Sequence, residues 1–535
     1  MVTGENQTLD AVILAKCQSA KKIEQQMLKK ILFENKDTEY GKKYGFSDIK
    51  TADEYRKRLP LTEYADYEES VDRMIAGEKN ILTAYAVVGY CRSSGTSSTG
   101  RKNIPISQVQ LDQYDSCAEA YMDRLIKEQG GKRLQIATFR TLPESDEMSL
   151  LYTEIYYRNK ARAGRMNMEE YVGGRELVFN RDEGDWLFIK AFAALLEEDL
   201  VLIEAIYLYE LLHFFTYMEE NIDRLTESIK KRSFPEDIVI PANVRKMLLS
   251  LPVSEERIRK IERECSLGFD GIAKRLWPKL QLAAGISSQE YFAENAMLRR
   301  FTEDVPEYYY MYCASECYMG MPVAAEDFRY VMIPDNAFYE FLPYEEGNRI
   351  KETCLPHELK AGQLYEVIVT NFAGLYRYRM GDIVRAVDYI GESPVVEFAT
   401  RRNLSLNIAG EKVNLSQIEY AMLRLSMKGI EVSMYCFASC VKKVPGYYQV
   451  AIALNNPVAN TYTEKEIAEW LDDALIQYNP DYEDLRGLKE IAPLRVRLFD
   501  AEEYMALMKE NGLFGGHNKP KHIAPKGFLR AEDWN

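Results

Sequence analysis

A chain of 535 residues is too long for one ordinary core, so two or more domains are expected. Apolar residues make up 47% and charged residues 28%, and the net charge is −15 with no long basic run, a globular balance without the footprint of a nucleic-acid binder. Nine cysteines at low density fit a reducing, cytoplasmic setting rather than a disulfide scaffold.

The N-terminus has only the short apolar stretch 11–15 and no signal-peptide architecture. Helical spacing runs through 8–36 and 51–77. A short continuous apolar run, 84–91, predicts a buried strand that enters a loop rich in hydroxyls and glycine. A second strand at 104–106 precedes a helix over 108–127. Residues 188–304 read as strongly helical, with a periodic run from Phe188 to Leu225 and shorter helices near 254–266, 270–276 and 287–300, separated by Pro252, Gly268 and Gly285. Five acidic residues between Glu197 and Glu210 exclude a membrane span in that stretch. Strands are expected at 328–333, 338–342, 363–370, 375–379 and 382–388, with Met380-Gly381 as a hairpin tip or tight turn. After 404 the order is helix 416–426, strands 431–438 and 447–455, helix 464–477 and strand 493–499, a small α+β unit of about 130 residues.

Three segments carry chemistry. Ser93-Ser94-Gly95-Thr96-Ser97-Ser98-Thr99-Gly100 is followed by Arg101-Lys102. Glycines let backbone amides approach an anion, and amides with hydroxyls can cradle phosphate oxygens. A kinase-type phosphate loop would need Lys then Ser or Thr directly after the second glycine; Arg101, Lys102 and soon Pro105 break that pattern. The plain alternative is a surface loop. In Tyr312-Cys313-Ala314-Ser315-Glu316, a tyrosine ring can stack on a base and a carboxylate a turn later can hold Mg²⁺; the plain alternative is a buried tyrosine and a surface glutamate. In Tyr376-Arg377-Tyr378-Arg379-Met380-Gly381-Asp382, a carboxylate beside a glycine can bind both hydroxyls of a ribose, though Gly-Asp turns are common. The pairs Cys313/Cys317 and Cys436/Cys440 lack zinc-knuckle context and are read as core cysteines.

Together the three segments resemble, in order and spacing, the motifs of the Gretchen Hagen-type (auxin-responsive) acyl acid–amido synthetases, within the adenylate-forming (firefly luciferase-like) superfamily. The family's loop reads Ser-Ser-Gly-Thr-Ser with an Arg-Lys pair shortly after, matched here by Arg101-Lys102, its second motif Tyr-x-x-Ser-Glu and its third Tyr-Arg-x-Gly-Asp. Thr99 and Gly100 depart from the usual glycine placement of the loop. The resemblance extends over 192–228 and 271–280 and covers most of 20–530. It implies an α/β fold: a large N-terminal adenylate-forming domain, 1–402, with β-sheets and helical layers that binds ATP and acyl substrate, and a small mobile α+β domain, 403–535. Arg401-Arg402-Asn403 resembles the hinge, with Arg401 near ribose or phosphate. In the tail Gly515-Gly516-His517-Asn518-Lys519-Pro520-Lys521, the match sets Lys519 as the lysine that reaches the α-phosphate; a shifted register makes it Lys521.

By the same resemblance Ser93, Ser94, Gly95, Thr96 and Ser97 hold phosphates, Tyr312 and Ser315 belong to the nucleotide site, Glu316 binds Mg²⁺, and Asp382 fixes the ribose. The implied reaction activates a carboxylic acid with ATP as its acyl-AMP and conjugates it to an amino acid or other amine, releasing AMP. The expected partners are those small molecules, with neither nucleic acid nor membrane, for a monomer or weak dimer. An acyl-CoA ligase using the same adenylate is the rival enzyme, and a non-catalytic nucleotide- or acyl-binding protein the rival of another class.

Overall fold

Helices open the chain, and their starts are written in the sequence. Asp10, Thr38 and Thr51 each accept a hydrogen bond from the backbone amide three residues on, capping Ala11–Gln18, Glu39–Tyr44 and Ala52–Arg58. The structure is a computed structural model that describes residues 9–93, 102–139, 148–149, 152–180, 183–287, 292–344, 352–401, 406, 408, 411, 413, 415–440, 445–455, 461–487, 489, 491–510 and 522–524. The described residues up to 93, from 102 to 380 and from 384 to 398 form one unit; 381–383 and those from 399 onward belong to a second.

From Val87 the strands are β1 (Val87–Ser93), β2 (Lys102–Ser107), β3 (Lys132–Gln135), β4 (Met148–Ser149), β5 (Leu200–Tyr207), β6 (Leu282–Ile286), β7 (Glu307–Tyr309), β8 (Tyr312–Cys313), β9 (Tyr318–Pro322), β10 (Arg329–Met332), β11 (Phe338–Pro343), β12 (Leu364–Thr370), β13 (Tyr378–Ile390) and β14 (Ser393–Arg401). They make a three-stranded sheet, β2-β1-β4, a seven-stranded sheet, β11-β12-β13-β14-β10-β9-β8, and a four-stranded sheet, β3-β5-β6-β7. The last is parallel throughout. One core joins the N-terminal helices to the first two sheets through Leu28, Ile31, Tyr55, Ile104, Tyr339, Val367 and Tyr376. A second packs helices on the parallel sheet around Phe192, Leu200, Phe215, Leu276 and Trp277.

The continuous helical run expected over Phe188–Leu225 is divided. Helix Trp186–Leu196 ends, β5 follows, and helix Tyr209–Glu220 comes after it. The first helix stops where the buried Arg257 guanidinium donates to the carbonyls of Leu195 (2.8 Å) and Glu197 (2.7 Å). β5 lies between β3 and β6, so its residues from Leu200 to Ile206 are all buried and show no period of two. Gly285, expected between helices, sits in β6: a Cβ there would come within 2.6 Å of the Leu208 backbone nitrogen, so only glycine permits this approach. Met380-Gly381 is likewise not a hairpin tip. β13 runs unbroken through it, Gly381 taking φ 76° within the strand, and the reversal into β14 comes at Gly391 (φ 61°).

In the second unit β15 (Val432–Cys440), β16 (Tyr447–Leu454) and β17 (Arg495–Phe499) form a sheet in that order. Helix Leu415–Ser426 and helix Glu464–Tyr478, opened by a Thr463/Glu466 capping box, close a separate core over Phe437, Val450, Ile452 and Leu471. No helix among the described residues is long and apolar enough to cross a membrane.

Candidate active site

β1 and β2 pair antiparallel from Val87↔Ser107 to Ser93↔Lys102, so the two ends of the hydroxyl-rich loop are held side by side. β2 is the outer strand, which is why Pro105 is tolerated opposite Tyr90. Ser93 ends β1; its side chain, and Ser94, Gly95, Thr96 and Ser97, lie outside the described residues. Lys102, the first residue of β2, has its ammonium 5.9 Å from the Tyr64 ring centroid and 5.8 Å from that of Tyr378.

Ser315 and Glu316 are the two central residues of the turn joining β8 to β9. Ala314 and Cys317 close it by reciprocal backbone hydrogen bonds of 2.9 and 3.3 Å. The Glu316 carbonyl is fixed twice, by the amide of Asn371 at 2.7 Å and by that of Gln110 at 3.0 Å. Each anchor is itself locked. Asn371 accepts from the Ala373 and Leu375 amides, and Gln110 accepts from the Ser107 amide and hydroxyl in the box that starts helix Gln108–Tyr114. Ser315 Oγ accepts from the Cys91 thiol at 3.3 Å. The glutamate is thus held at a two-residue tip whose backbone is fixed from two sides. Tyr312 is buried on β8, its ring centroid 5.9 Å from Tyr330 and 6.3 Å from Phe398.

The third segment divides its side chains between two tasks. Tyr376 stacks on Tyr40 at 4.7 Å and donates to the Leu82 carbonyl. Arg377, at φ 49°, is buried and donates to Glu340, to Thr353 Oγ1 and to the carbonyls of Arg56 and Leu59. Arg379 pairs with Glu366 at 2.5 Å. Tyr378 instead joins the other two segments: its hydroxyl donates to Glu316 Oε1 at 3.2 Å and accepts from Lys102 Nζ at 3.2 Å. Burial, and then the Glu316 carboxylate, hold the Tyr378 phenol well above its ordinary pKa, so it stays protonated and a donor. Asp382 is buried on the same strand, four residues on.

Models of the GH3 family match the chain in order: its N-terminal domain over residues 11–306, its central domain over 330–401 and its C-terminal domain over 416–527. The chain belongs to the GH3 family. It is 25% identical over 529 residues to the GH3 protein jasmonoyl–L-amino acid synthetase GH3.5 of Oryza sativa subsp. japonica, covering 93% of this chain and 90% of that one. It is also 25% identical over 514 residues to indole-3-acetic acid-amido synthetase GH3.3 of Arabidopsis thaliana, covering 91% and 86%. The solved structure of AtGH3.15 acyl acid amido synthetase in complex with 2,4-DB matches with a TM-score of 0.82 at 21% identity, over 96% of this chain and 94% of that one. A 2-hydroxyisobutyryl-CoA ligase in its postadenylation state matches with a TM-score of 0.54 at 10% identity, over 97% and 91%. At such identities the likeness shows the fold, which is the GH3 form of the adenylate-forming α/β fold, with a large N-terminal and a smaller C-terminal domain.

Of the residues expected at the GH3 site, Glu316 and Ser315 stand together at the turn, and Arg401 ends β14. Lys519 and Lys521 lie outside the described residues. Sequence reasoning set Lys102 in the Arg-Lys pair that follows the family's loop and Tyr378 in the third motif but gave neither a role, and it missed Gln110 and Asn371. Ser107-x-x-Gln110 is a readable helix-start signature, but nothing local shows that the glutamine's amide reaches Glu316.

Proposed function

We propose that this GH3-family chain is an acyl acid–amido synthetase, activating a carboxylic acid with ATP and transferring the acyl group to an amino acid. One observation carries the reading: Lys102, Glu316 and Tyr378, one from each of three motif segments distant in sequence, share one hydrogen-bonded chain. Membership of the GH3 family, whose similar members are named as amino acid or amido synthetases, favours the amine over a thiol as acceptor.

A carboxylate oxygen of the acid attacks the α-phosphorus of ATP, the bond to pyrophosphate breaks, and an acyl-AMP remains. The amine then attacks the acyl carbon and AMP leaves. The first step needs in-line positioning and neutralisation of charge more than covalent help. Ser93–Ser97 would cradle phosphates, with Lys102 beside them. Tyr312 and Ser315 would line the nucleotide, Asp382 would bind the ribose hydroxyls, Arg401 would meet ribose or phosphate, and Lys519 (or Lys521) would meet the α-phosphate.

Mg²⁺ fits Glu316, because that ion is commonly held by one or two carboxylates together with substrate phosphates. Among the described residues no cluster of three His, Cys, Asp or Glu forms a metal site of its own. When bound, the ion neutralises phosphate charge. A division into 1–402 and 403–535, with the smaller part turning between the two half-reactions, completes the proposal. Nine cysteines at low density would suit a reducing, cytoplasmic setting.

The test is ATP–pyrophosphate exchange across a panel of carboxylic acids, then an amino-acid panel with mass detection of the amide. AMP and an amide are expected. Release of ADP, consumption of coenzyme A in place of the amine, or binding without AMP release would each overturn the reading.

A further inference from the structure

The Lys102 ammonium and the Glu316 carboxylate do not meet directly; the Tyr378 hydroxyl stands between them, donating to one and accepting from the other. Opposite charges this close, in a half-buried site, would be expected to close into an ion pair unless something held them apart. A closed pair would consume the two groups that the proposed function needs free for other work. Phosphate would have to compete with the carboxylate for the ammonium, and a divalent cation would have to compete with the ammonium for the carboxylate.

The surroundings fix the phenol in place. Tyr378 is buried, its ring lies 6.2 Å from that of Tyr67, and its backbone bridges to Thr62. Gln110 and Asn371 hold the Glu316 carbonyl, which fixes the backbone of the turn and leaves the carboxylate free to rotate about its own side-chain bonds. Lys102 is steadied over the two tyrosine rings.

We propose that Tyr378 is a positioning residue, a neutral spacer that keeps the Lys102 ammonium off the Glu316 carboxylate, so that the lysine serves nucleotide phosphate and the glutamate a divalent cation. The idea rests on the amido-synthetase reading for the roles of Lys102 and Glu316. It adds a task for Tyr378, a residue to which the proposed function gives none. A phenol suits it because it carries no charge of its own and offers a donor to the carboxylate and a lone pair to the ammonium at once. Phenylalanine keeps the ring and its packing but removes both contacts, so the ammonium and carboxylate can close.

The experiment titrates the full chain with ATP by calorimetry, once with Mg²⁺ and once with EDTA, and takes the ratio of the two dissociation constants. Melting temperatures confirm that each variant is folded. Tyr378→Phe should cut the Mg²⁺-dependent tightening roughly fivefold in the wild-type background, the scale of one net hydrogen bond. In a Lys102→Met background, where no ammonium can close, the same change should alter it less than about twofold. An unchanged ratio for Tyr378→Phe would overturn the proposal. So would an equal loss in both backgrounds, which would mean that Tyr378 acts on Glu316 alone. If the wild-type chain binds ATP no more tightly with Mg²⁺ than with EDTA, the assignment of Glu316 falls, and the spacer falls with it; that outcome is visible before any variant is made.

Discussion

Arg377 and Tyr378 are neighbours in one motif, yet their side chains do opposite things. Arg377 donates to Glu340, Thr353 and two backbone carbonyls, and the pair is buried with its partners satisfied inside the fold. Tyr378 touches a lysine and a glutamate that face each other across it without closing. Arg377, at φ 49°, stands just before β13 and Tyr378 is its first residue, so the bend in the backbone between them sends the two side chains to different partners. One face of the motif is therefore occupied with holding the sheet to the N-terminal helices, and the other with keeping charged groups apart. The difference teaches that a motif matched letter by letter mixes residues needed for folding with residues needed for chemistry.

The largest effect should come from breaking the first face. Arg377→Met strands the Glu340 carboxylate in the core and should cost about 3–5 kcal/mol in chemical denaturation. Replacing both partners by methionine should recover much of that loss, since no unpaired charge is then left behind. If Arg377→Met melted like the wild type and lost only activity, the division between the faces would be wrong.

The second face should fail in the reverse manner. Glu316→Gln keeps the shape of the turn, and Asp382→Ala removes a single carboxylate. Each should lower ATP–pyrophosphate exchange by about 10²–10³-fold, the scale of a lost electrostatic contact in a reaction centre. For Glu316→Gln the melting temperature should hardly move. Unchanged exchange in Asp382→Ala would refute its assignment to the ribose.

A third buried carboxylate sharpens the comparison. Glu307 on β7 is shut from solvent like Glu340, but its arginine is shared: Arg299 Nε lies 3.3 Å from Glu307, while its terminal nitrogen is 2.8 Å from Glu326. Burial outweighs that pairing and pushes the Glu307 carboxyl up to about 7. A raised folded pKa means that the native state holds the proton more tightly than the unfolded chain. The resulting stabilisation is complete below the ordinary value of 4.5 and is lost as pH rises through about 7. Glu307→Gln should therefore gain about 3 kcal/mol on the wild type between pH 4.5 and pH 8, read from paired denaturation curves. A flat difference across that range would show Arg299 to be as full a partner as Arg377.

Much of the fold was legible in the sequence, since capping residues and alternating patterns are local. The small second unit keeps its predicted elements in order from Leu415 to Phe499, with one unforeseen helix, Pro480–Gly487, before the last strand. β5 and β6 were not legible. Strands covered on both faces lose their alternation, and Leu200–Ile206, set between two apolar helices, shares their composition. For the site, letters revealed the segments but not the division of labour within them. Arg377 and Tyr378 differ in task because of Glu340 and Glu316, both far off in the chain, and no spacing rule reports such a partner. Gly381 was misread for a related reason: a glycine at positive φ can kink a strand as readily as end it, and the sheet on either side decides which.

Gln110 joins the legible to the illegible, and its removal gives the smallest of these effects. Its side-chain oxygen completes the helix-start box with Ser107, a feature any reader of the sequence can find. Its side-chain nitrogen reaches the Glu316 carbonyl, which only the fold makes possible. Gln110→Leu removes both bonds, so the helix should lose about 1 kcal/mol of cap stability. The Glu316 carbonyl would then be held by Asn371 alone, and exchange should fall about tenfold as the tip of the turn samples more positions. Gln110→Glu separates the two roles, because a carboxylate can still close the box but cannot donate to a carbonyl. It should keep the box with Ser107 and lose the same tenfold in exchange. If it kept its exchange as well, the second anchor would be dispensable, and Asn371 would be sufficient to aim the glutamate.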